Sequence, residues 1–211
     1  GHKVTLVDVN EDALKKANRR IEESVKRVAK SKFKANPDEG QAFVQKALEN
    51  LRLSTTAEAK TSFESADMIV EAVIENLDLK RKLFAEWDAM CPPKTIFASN
   101  TSTLPISAMA RVTPDRMDRF GGLHFFNPVP VMKLLEVIRI PETSDATFEA
   151  MMEWGKRMGK SCVECKDTPG FIVNRLLVPY LGEAIAMVER GDASFKDVDT
   201  AMKLGAGYPM G

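Results

Sequence analysis

Hydrophobic positions recur at two spacings along the chain. Short runs of alternating or clustered apolar residues predict β-strands, and longer runs with apolar residues three or four positions apart predict α-helices. The strands predicted in this way cover residues 3–9, 51–55, 68–73, 95–98, 120–126, 133–138 and 161–164. The predicted helices cover residues 11–34, 41–51, 75–90, 106–110, 146–157, 171–190 and 195–204, with a turn at 36–40 before the second.

The order of these elements predicts the fold class. Strands and helices alternate as far as about residue 166, which is typical of an α/β fold with a parallel sheet. From Gly170 onward only helical patterns follow, interrupted by the stop signal Gly191. The turn Asp167-Thr-Pro-Gly170 marks the boundary, so we predict an α/β domain over residues 1–166 and a helical segment over 167–211.

Composition changes this picture little. The chain is 44% hydrophobic and 28% charged with a formal net charge of zero, which is ordinary for a globular protein and predicts no steering toward nucleic acid or an anionic membrane. The longest apolar stretch, 171–188, contains Asn174, Arg175, Pro179 and Glu183, and is predicted to be a buried helix instead of a membrane span.

The three cysteines do not predict a disulfide framework, because their number is odd. Cys162 and Cys165 have the spacing of a redox motif, but no second pair or nearby histidine completes a zinc site. We therefore expect two reduced thiols and no metal.

Candidate chemistry concentrates in residues 121–138. His124 ends one apolar run, Glu136 lies on the next, and the turn between them is stiffened by Pro128 and Pro130. A carboxylate that faces an imidazole fixes its tautomer and stabilises the imidazolium, which is the usual arrangement of a general base. The alternative is a core histidine bonded to a backbone carbonyl, and the residues alone leave the two readings about even.

Three motifs extend this reading. The run Leu123-His-Phe-Phe-Asn-Pro-Val-Pro-Val-Met132, followed by Leu135-Glu-Val137, resembles a signature of the L-3-hydroxyacyl-CoA dehydrogenases. Asp167-Thr-Pro-Gly-Phe-Ile-Val-Asn-Arg175 and Ser99-Asn-Thr-Ser102 resemble two further signatures of that family, and the similarity runs from Val4 to the last residue. The resemblance implies a Rossmann-like domain and oxidation of 3-hydroxyacyl-CoA to 3-oxoacyl-CoA with NAD. It also implies fatty-acid β-oxidation in the mitochondrial matrix, in a homodimer.

The resemblance also implies roles for individual residues. His124 is the general base and Glu136 orients it. The residues implied in cofactor binding are Asp8, Glu75, Lys80, Ser102 and Asn127. The residues implied in substrate binding are Ser24, Ser102, Asn127 and Asn174.

Several of these residues could instead have a purely structural role. Asp8 could instead stabilise the first turn of a helix, although an acid at a strand end with no arginine beside it favours NAD over NADP. Glu75 and Lys80 could be polar residues at a helix start, and Ser102 a helix N-cap. Asn174 could be a buried amide bonded to backbone groups.

The chain opens on what reads as a strand already inside a domain. By resemblance, a first strand and a glycine-rich phosphate loop should precede Asp8, and more helices should follow Gly211. We therefore expect a Rossmann-like domain without its first strand and phosphate loop, then the beginning of an all-α domain. The alternative function is a non-catalytic fragment or isoform of the family. We expect residues 1–211 alone to show no turnover and to leave Leu177, Val178 and Leu181 exposed.

Overall fold

The computed structural model describes residues 2–209. Its strands are β1 (Val4–Asp8), β2 (Leu51–Thr55), β3 (Met68–Glu71), β4 (Ile96–Ser99), β5 (Phe120–Phe125), β6 (Leu134–Arg139) and β7 (Ser161–Lys166). Its helices are α1 (Glu11–Lys32), α2 (Pro37–Glu49), α3 (Lys60–Glu64), α4 (Leu77–Asp88), α5 (Ile106–Ala110), α6 (Asp145–Arg157), α7 (Val173–Glu189) and α8 (Phe195–Gly205), and a 3₁₀-helix covers Pro114–Arg119. Gly1, Met210 and Gly211, at the ends of the two predicted domains, lie outside the described residues.

The strands form two sheets in the described part of the chain. β1 pairs with β2, and the larger sheet has the order β3-β4-β5-β6-β7. All pairs are parallel except β5–β6, which is antiparallel because the connection over 126–133 is shorter than the dozen or so residues that a parallel crossover needs. The alternation of strands and helices confirms the predicted α/β class and its Rossmann-like character. Within the described residues, β1 and β3 each have one edge that pairs with no other strand.

The larger sheet is buried on both faces. Phe97 and Ala98 are adjacent on β4 and therefore point to opposite faces. Phe97 packs in a cluster with Phe84, Ile106 and Phe120, whereas Ala98 packs in a second cluster that includes Met151. The two clusters cover the sheet on both sides and fix β5 and β6, which carry His124 and Glu136.

Several predicted boundaries were wrong for identifiable reasons. The run 36–40 is not a separate turn but the start of α2, with the Asn36 side chain accepting from the backbone N–H of Glu39 and Pro37 in the first turn. Asn76 is the N-cap of α4 and lies outside the helix. The short helix α3 and the 3₁₀-helix were not predicted, because each contains a single large apolar side chain besides proline, Phe63 and Met117, and so shows no helical spacing.

Residues 173–189 form a helix as predicted, but within the described residues it is not the buried helix expected for the run 171–188. The exposure of its apolar face agrees with the expectation for residues 1–211 alone. In the described part of the chain, no side chain of α7 is fully buried, and Leu177, Val178 and Leu181 are 44%, 65% and 45% exposed. No other element between residues 2 and 209 covers this apolar face. Within the same residues, none of the helices is long and apolar enough to cross a membrane.

The three cysteines are free thiols, as predicted for Cys162 and Cys165. Burial raises the pKa of all three, and that of Cys91 to about 11. These thiols are therefore protonated at neutral pH, which makes them poor nucleophiles and poor metal ligands.

Candidate active site

The antiparallel pairing of β5 and β6 brings His124 directly opposite Glu136. Nδ1 of His124 lies 2.6 Å from Oε2 of Glu136, and the two residues are 4% and 0% exposed. The partner of the imidazole is therefore a buried carboxylate, so the alternative of a core histidine bonded to a backbone carbonyl is wrong. The geometry matches the arrangement in which a carboxylate orients an imidazole.

The second oxygen of Glu136 is bonded as well. Oε1 accepts hydrogen bonds from the backbone N–H groups of Ile172 (3.0 Å) and Val173 (2.9 Å), where α7 begins. The carboxylate therefore lies at the positive end of the helix dipole, which stabilises its charge. The position of the imidazole is thus tied to the first turn of α7.

Two phenylalanines enclose the imidazole. The ring centroids of Phe126 and Phe171 lie 4.6 Å and 5.4 Å from that of His124. Phe171 has φ of 50°, a left-handed conformation that costs a non-glycine residue about 1 kcal/mol or more, and the residue is 3% exposed. Among residues 2–209, Nε2 of His124 has no hydrogen-bond partner. The atom is not among the fully buried polar atoms that lack a partner, so it keeps some exposure. Nε2 is therefore the ring nitrogen open to a ligand.

The carboxyl ends of β3 and β4 carry a second polar group, centred on Glu75. Its carboxylate accepts from Oγ1 of Thr101 (3.0 Å) and from the backbone N–H of Ser102 (2.6 Å), and its side chain is 42% exposed. Burial tends to raise the pKa of Glu75, but the hydrogen bonds from Ser102 and Thr101 and the charge of Lys80 outweigh it, so the pKa lies below 4.5. Glu75 is a charged acceptor at the edge where parallel sheets bind ligands.

This lowered pKa has a consequence for stability. A carboxyl whose folded pKa is below its unfolded value stabilises the fold above the unfolded value, and that contribution is lost as the pH falls through the folded pKa. In urea unfolding between about pH 3 and pH 6, the free energy of unfolding of Glu75→Gln should depend less on pH below 4.5 than that of the wild type. Equal pH dependence in the two proteins would show that the Glu75 contacts do not hold its charge.

The Lys80 side chain is buried, although its sequence neighbours are also compatible with a polar residue at a helix start. It is 0% exposed, and Nζ lies 2.8 Å and 3.0 Å from the two oxygens of Glu71 and 3.3 Å from Oε2 of Glu75. Lys80 is therefore not a solvated residue of a helix start. The cofactor contact that the resemblance implies for Lys80 stays a prediction, and in the structure its ammonium contacts Glu71 and Glu75.

Ser102 and Asn174 meet between the α/β domain and α7. Nδ2 of Asn174 donates to the carbonyl of Ser102 at 3.3 Å, so a backbone group does satisfy part of the amide, although Asn174 is only half-buried. Ser102 is not a helix N-cap, because Thr101 Oγ1 accepts from Leu104 and the Asp167 carboxylate accepts from the first N–H groups of α5. The half-buried Ser102 hydroxyl is not used as a cap.

Asn127 follows β5 and is exposed just beyond His124.

Sequence reasoning missed Asn100, whose Oδ1 accepts from the backbone N–H of Phe125 at 2.9 Å and so holds the end of β5. It also missed Glu71 and Asp167. The only sequence signal for these three residues was that each is a polar residue in or just after an apolar strand pattern, or in a turn.

Asp8 and Ser24 lie on other elements. Asp8 ends β1, is half-buried, and accepts through Oδ1 from the backbone N–H of Asn10 at 2.9 Å. Asn10, not Asp8, caps α1, so the alternative in which Asp8 stabilises the first helical turn is wrong. Val9 beside it is 84% exposed, and no arginine adjoins the carboxylate.

Ser24 lies half-buried in α1. Farther along that helix, a largely apolar groove of about 970 Å³ separates α1 from α2. Lys26, Lys30 and Lys34 are among its lining residues.

Most of the predicted residues form one connected network. Glu136 joins His124 to the start of α7, Asn174 in α7 contacts Ser102, and Ser102 contacts Glu75. Asp8, Ser24 and Asn127 are not hydrogen-bonded to this network within the described residues. An α/β protein with an acid at one strand end and an oriented imidazole at another has the elements of a nucleotide-dependent dehydrogenase.

Two family models match the chain. The first, "3-hydroxyacyl-CoA dehydrogenase, NAD binding domain", matches residues 1–168, and the second, "3-hydroxyacyl-CoA dehydrogenase, C-terminal domain", matches residues 170–211. The chain belongs to the 3-hydroxyacyl-CoA dehydrogenase family.

Named relatives agree with this assignment. The chain is 59% identical to "Hydroxyacyl-coenzyme A dehydrogenase, mitochondrial" of Mus musculus over 100% of its own length and 66% of the relative's. It is 43% identical to "Probable 3-hydroxybutyryl-CoA dehydrogenase" of Bacillus subtilis, covering 100% of this chain and 70% of the relative. The crystal structure of (S)-3-hydroxybutyryl-CoA dehydrogenase from Ralstonia eutropha has a TM-score of 0.89 and 38% identity, covering 99% of this chain and 71% of that one. The chain thus spans 66% of the length of its mammalian relatives.

Proposed function

We propose that this protein oxidises 3-hydroxyacyl-CoA to 3-oxoacyl-CoA with NAD, in mitochondrial fatty-acid β-oxidation, and that His124 is the general base. The observation that carries the proposal is the buried imidazole whose Nδ1 is held by Glu136 and whose Nε2 is open. Family membership and the mitochondrial relatives support the substrate class and the compartment.

The residues of this chain perform the proton part of the reaction. Nε2 of His124 accepts the proton of the 3-hydroxyl as the C3–H bond breaks and the carbonyl forms, so the imidazole ends as imidazolium. Glu136 stabilises that cation, and its own charge is held by the N-terminus of α7. NAD, when bound, supplies the acceptor for the hydride that leaves C3. Positioned general-base catalysis contributes about 10²–10⁴-fold.

The donor set at the strand ends fits a dinucleotide. The half-buried Asp8 carboxylate has no basic residue adjacent to it in the sequence, so it suits the two hydroxyls of a ribose and disfavours a 2′-phosphate. Glu75, Lys80, Ser102 and Asn127 would form the part of the site that holds the reactive end of the cofactor near His124, with Lys80 beneath Glu75. We infer that NAD is the cofactor.

The substrate contacts follow from the same network. Ser102 and Asn174 lie between the α/β domain and α7 and would position the thioester near His124. Ser24 would contact the coenzyme A portion, and the lysines of the α1–α2 groove would favour its phosphates. The exposed apolar face of α7 agrees with the homodimer that the family resemblance implies.

The proposal is tested with a family-length form, in which the segments of the mouse relative outside the match are joined to this chain. Acetoacetyl-CoA and NADH are added and the NADH absorbance is followed. We expect turnover that requires both substrates. A folded family-length form that does not turn over acetoacetyl-CoA would contradict the proposed function.

Cofactor choice gives a separate prediction. Replacing Asp8 by Ser and Val9 by Arg in the family-length form should weaken NADH use and admit NADPH, because the ribose acceptor is lost and a phosphate partner is gained. The measurement is the ratio of kcat/KM for the two cofactors, with Asp12→Ser as a control that removes an exposed acid from the same region. If this ratio does not change in the double variant, Asp8 does not face the ribose.

A further inference from the structure

Beneath the network of Glu75 and Ser102 lies a buried ion pair that the reaction chemistry does not use. Glu71 ends β3 and Lys80 lies in α4, and they are 1% and 0% exposed. Each oxygen of Glu71 contacts Nζ of Lys80, at 2.8 Å and 3.0 Å. Oε1 also accepts from the backbone N–H of Val73 at 2.6 Å, and Oε2 from the hydroxyl of Ser99 at 2.5 Å.

Stability alone does not explain this arrangement. Taking two charges out of water costs several kcal/mol per ion, and apolar residues of similar volume are often as stabilising as a buried pair. What such a pair provides is a fixed geometry, because every oxygen and proton in it has a partner. Here the fixed elements are the β3–α4 connection, through Val73, and the end of β4, through Ser99.

Those two segments lead to Glu75 and Ser102, the two site residues that a ligand could contact. Glu75 follows Val73 in the β3–α4 connection, and Ser102 follows Ser99 beyond the end of β4. Lys80 also links the buried carboxylate to the exposed one, since its Nζ lies 3.3 Å from Oε2 of Glu75. The shorter contacts of the ammonium are all to Glu71, so the contact with Glu75 is the weaker one.

Building on the function proposed above, we propose that Glu71 is a positioning residue for cofactor binding. It retains the Lys80 ammonium in the interior and so leaves the Glu75 carboxylate available to a ligand, while it fixes the connection that carries Glu75 relative to the loop that carries Ser102. Without the Glu71 charge, Lys80 is paired with Glu75 alone, and the carboxylate is drawn toward the interior and away from the ligand.

The test measures NADH binding to the family-length form by calorimetry, together with kcat at saturating NADH. Glu71→Gln keeps the shape of the side chain and removes its charge. We expect the Kd for NADH to rise about tenfold or more, which corresponds to losing one charged hydrogen bond, and kcat to change much less. A Kd within about twofold of the wild type would overturn the proposal.

A double-variant comparison separates positioning from general destabilisation. If Glu71 acts through Glu75, then Glu71→Gln should add little to the Kd of a Glu75→Gln protein, whereas independent effects would add in full and would contradict the proposal. Asp88→Asn is the matched control, because it breaks the buried-arginine pair Asp88–Arg116, whose Nε–Oδ1 distance is 2.6 Å, in another part of the fold. It should lower Tm and leave the Kd for NADH unchanged.

Two further results keep the outcomes distinct. If Glu71→Gln does not fold, Ser99→Ala is used instead, because it removes a single hydrogen bond to Glu71. It should also raise the Kd for NADH, and an unchanged Kd in the Ser99 variant would overturn the proposal. If the wild-type family-length form fails to bind NADH, the proposed function fails. If the wild type binds and the Glu71 variant binds equally well, only the positioning role fails.

Discussion

Replacement of His124 by Gln in the family-length form is expected to lower kcat by about 10²–10⁴-fold and to leave KM for the acyl-CoA nearly unchanged. The amide of Gln can still contact Glu136, but it cannot take up the proton of the 3-hydroxyl. His124 lies on a strand that is held on both sides, so the loss should be one of chemistry and not of folding.

The measurement compares steady-state kinetics of acetoacetyl-CoA reduction for the wild type, His124→Gln and His2→Gln. His2 is the other histidine of the chain and is exposed, so its replacement controls for the substitution itself. A His124→Gln protein that retains more than about a tenth of the wild-type kcat would exclude His124 as the general base.

Replacement of Glu136 by Gln should reduce both kcat and stability. The carboxylate accepts from His124 on one oxygen and from two backbone N–H groups of α7 on the other. An amide has only one acceptor oxygen, so at least one buried donor loses its partner, at a cost of about 1–3 kcal/mol. The imidazolium loses its counter-charge as well, and kcat should fall by about tenfold or more.

Urea unfolding and steady-state kinetics together test this expectation. Glu164→Gln is the matched control, since Glu164 lies on the neighbouring strand β7 with its side chain 56% exposed. A lower free energy of unfolding with an unchanged kcat would mean that Glu136 is structural only. No change in either quantity would mean that the contacts of Glu136 contribute neither to stability nor to catalysis.

The sequence predicts the dyad but not its environment. His124 ends one apolar run and Glu136 lies on the next, but this pattern alone left a general base and a core histidine about even, and the resemblance to the dehydrogenase signature favoured the dyad. The contact of Glu136 with α7 was not predictable, because its donors are backbone N–H groups that carry no residue identity. Phe171 likewise gives no sequence signal for its left-handed backbone, since it is neither glycine nor asparagine.

Lys80 shows a different limit. The family resemblance implies a cofactor contact for Lys80, but nothing in the residues indicated that its ammonium would be buried against Glu71. Glu71 was not singled out inside the predicted strand 68–73, because a carboxylate nine positions away gives no periodic signal. The start of α2 was predictable, since Asn-Pro-Asp-Glu is an N-cap followed by proline and acids, but it was misread as a turn.

The central claim is that Nε2 of His124 takes the proton from the 3-hydroxyl. The most direct test is a crystal structure of the family-length form with NAD and acetoacetyl-CoA, a combination that cannot react. The account predicts that the 3-oxo oxygen lies about 2.6–3.2 Å from Nε2, with Nδ1 still bonded to Glu136. A 3-oxo oxygen that contacts another side chain, with Nε2 more than about 5 Å away and no water bridging them, would contradict it.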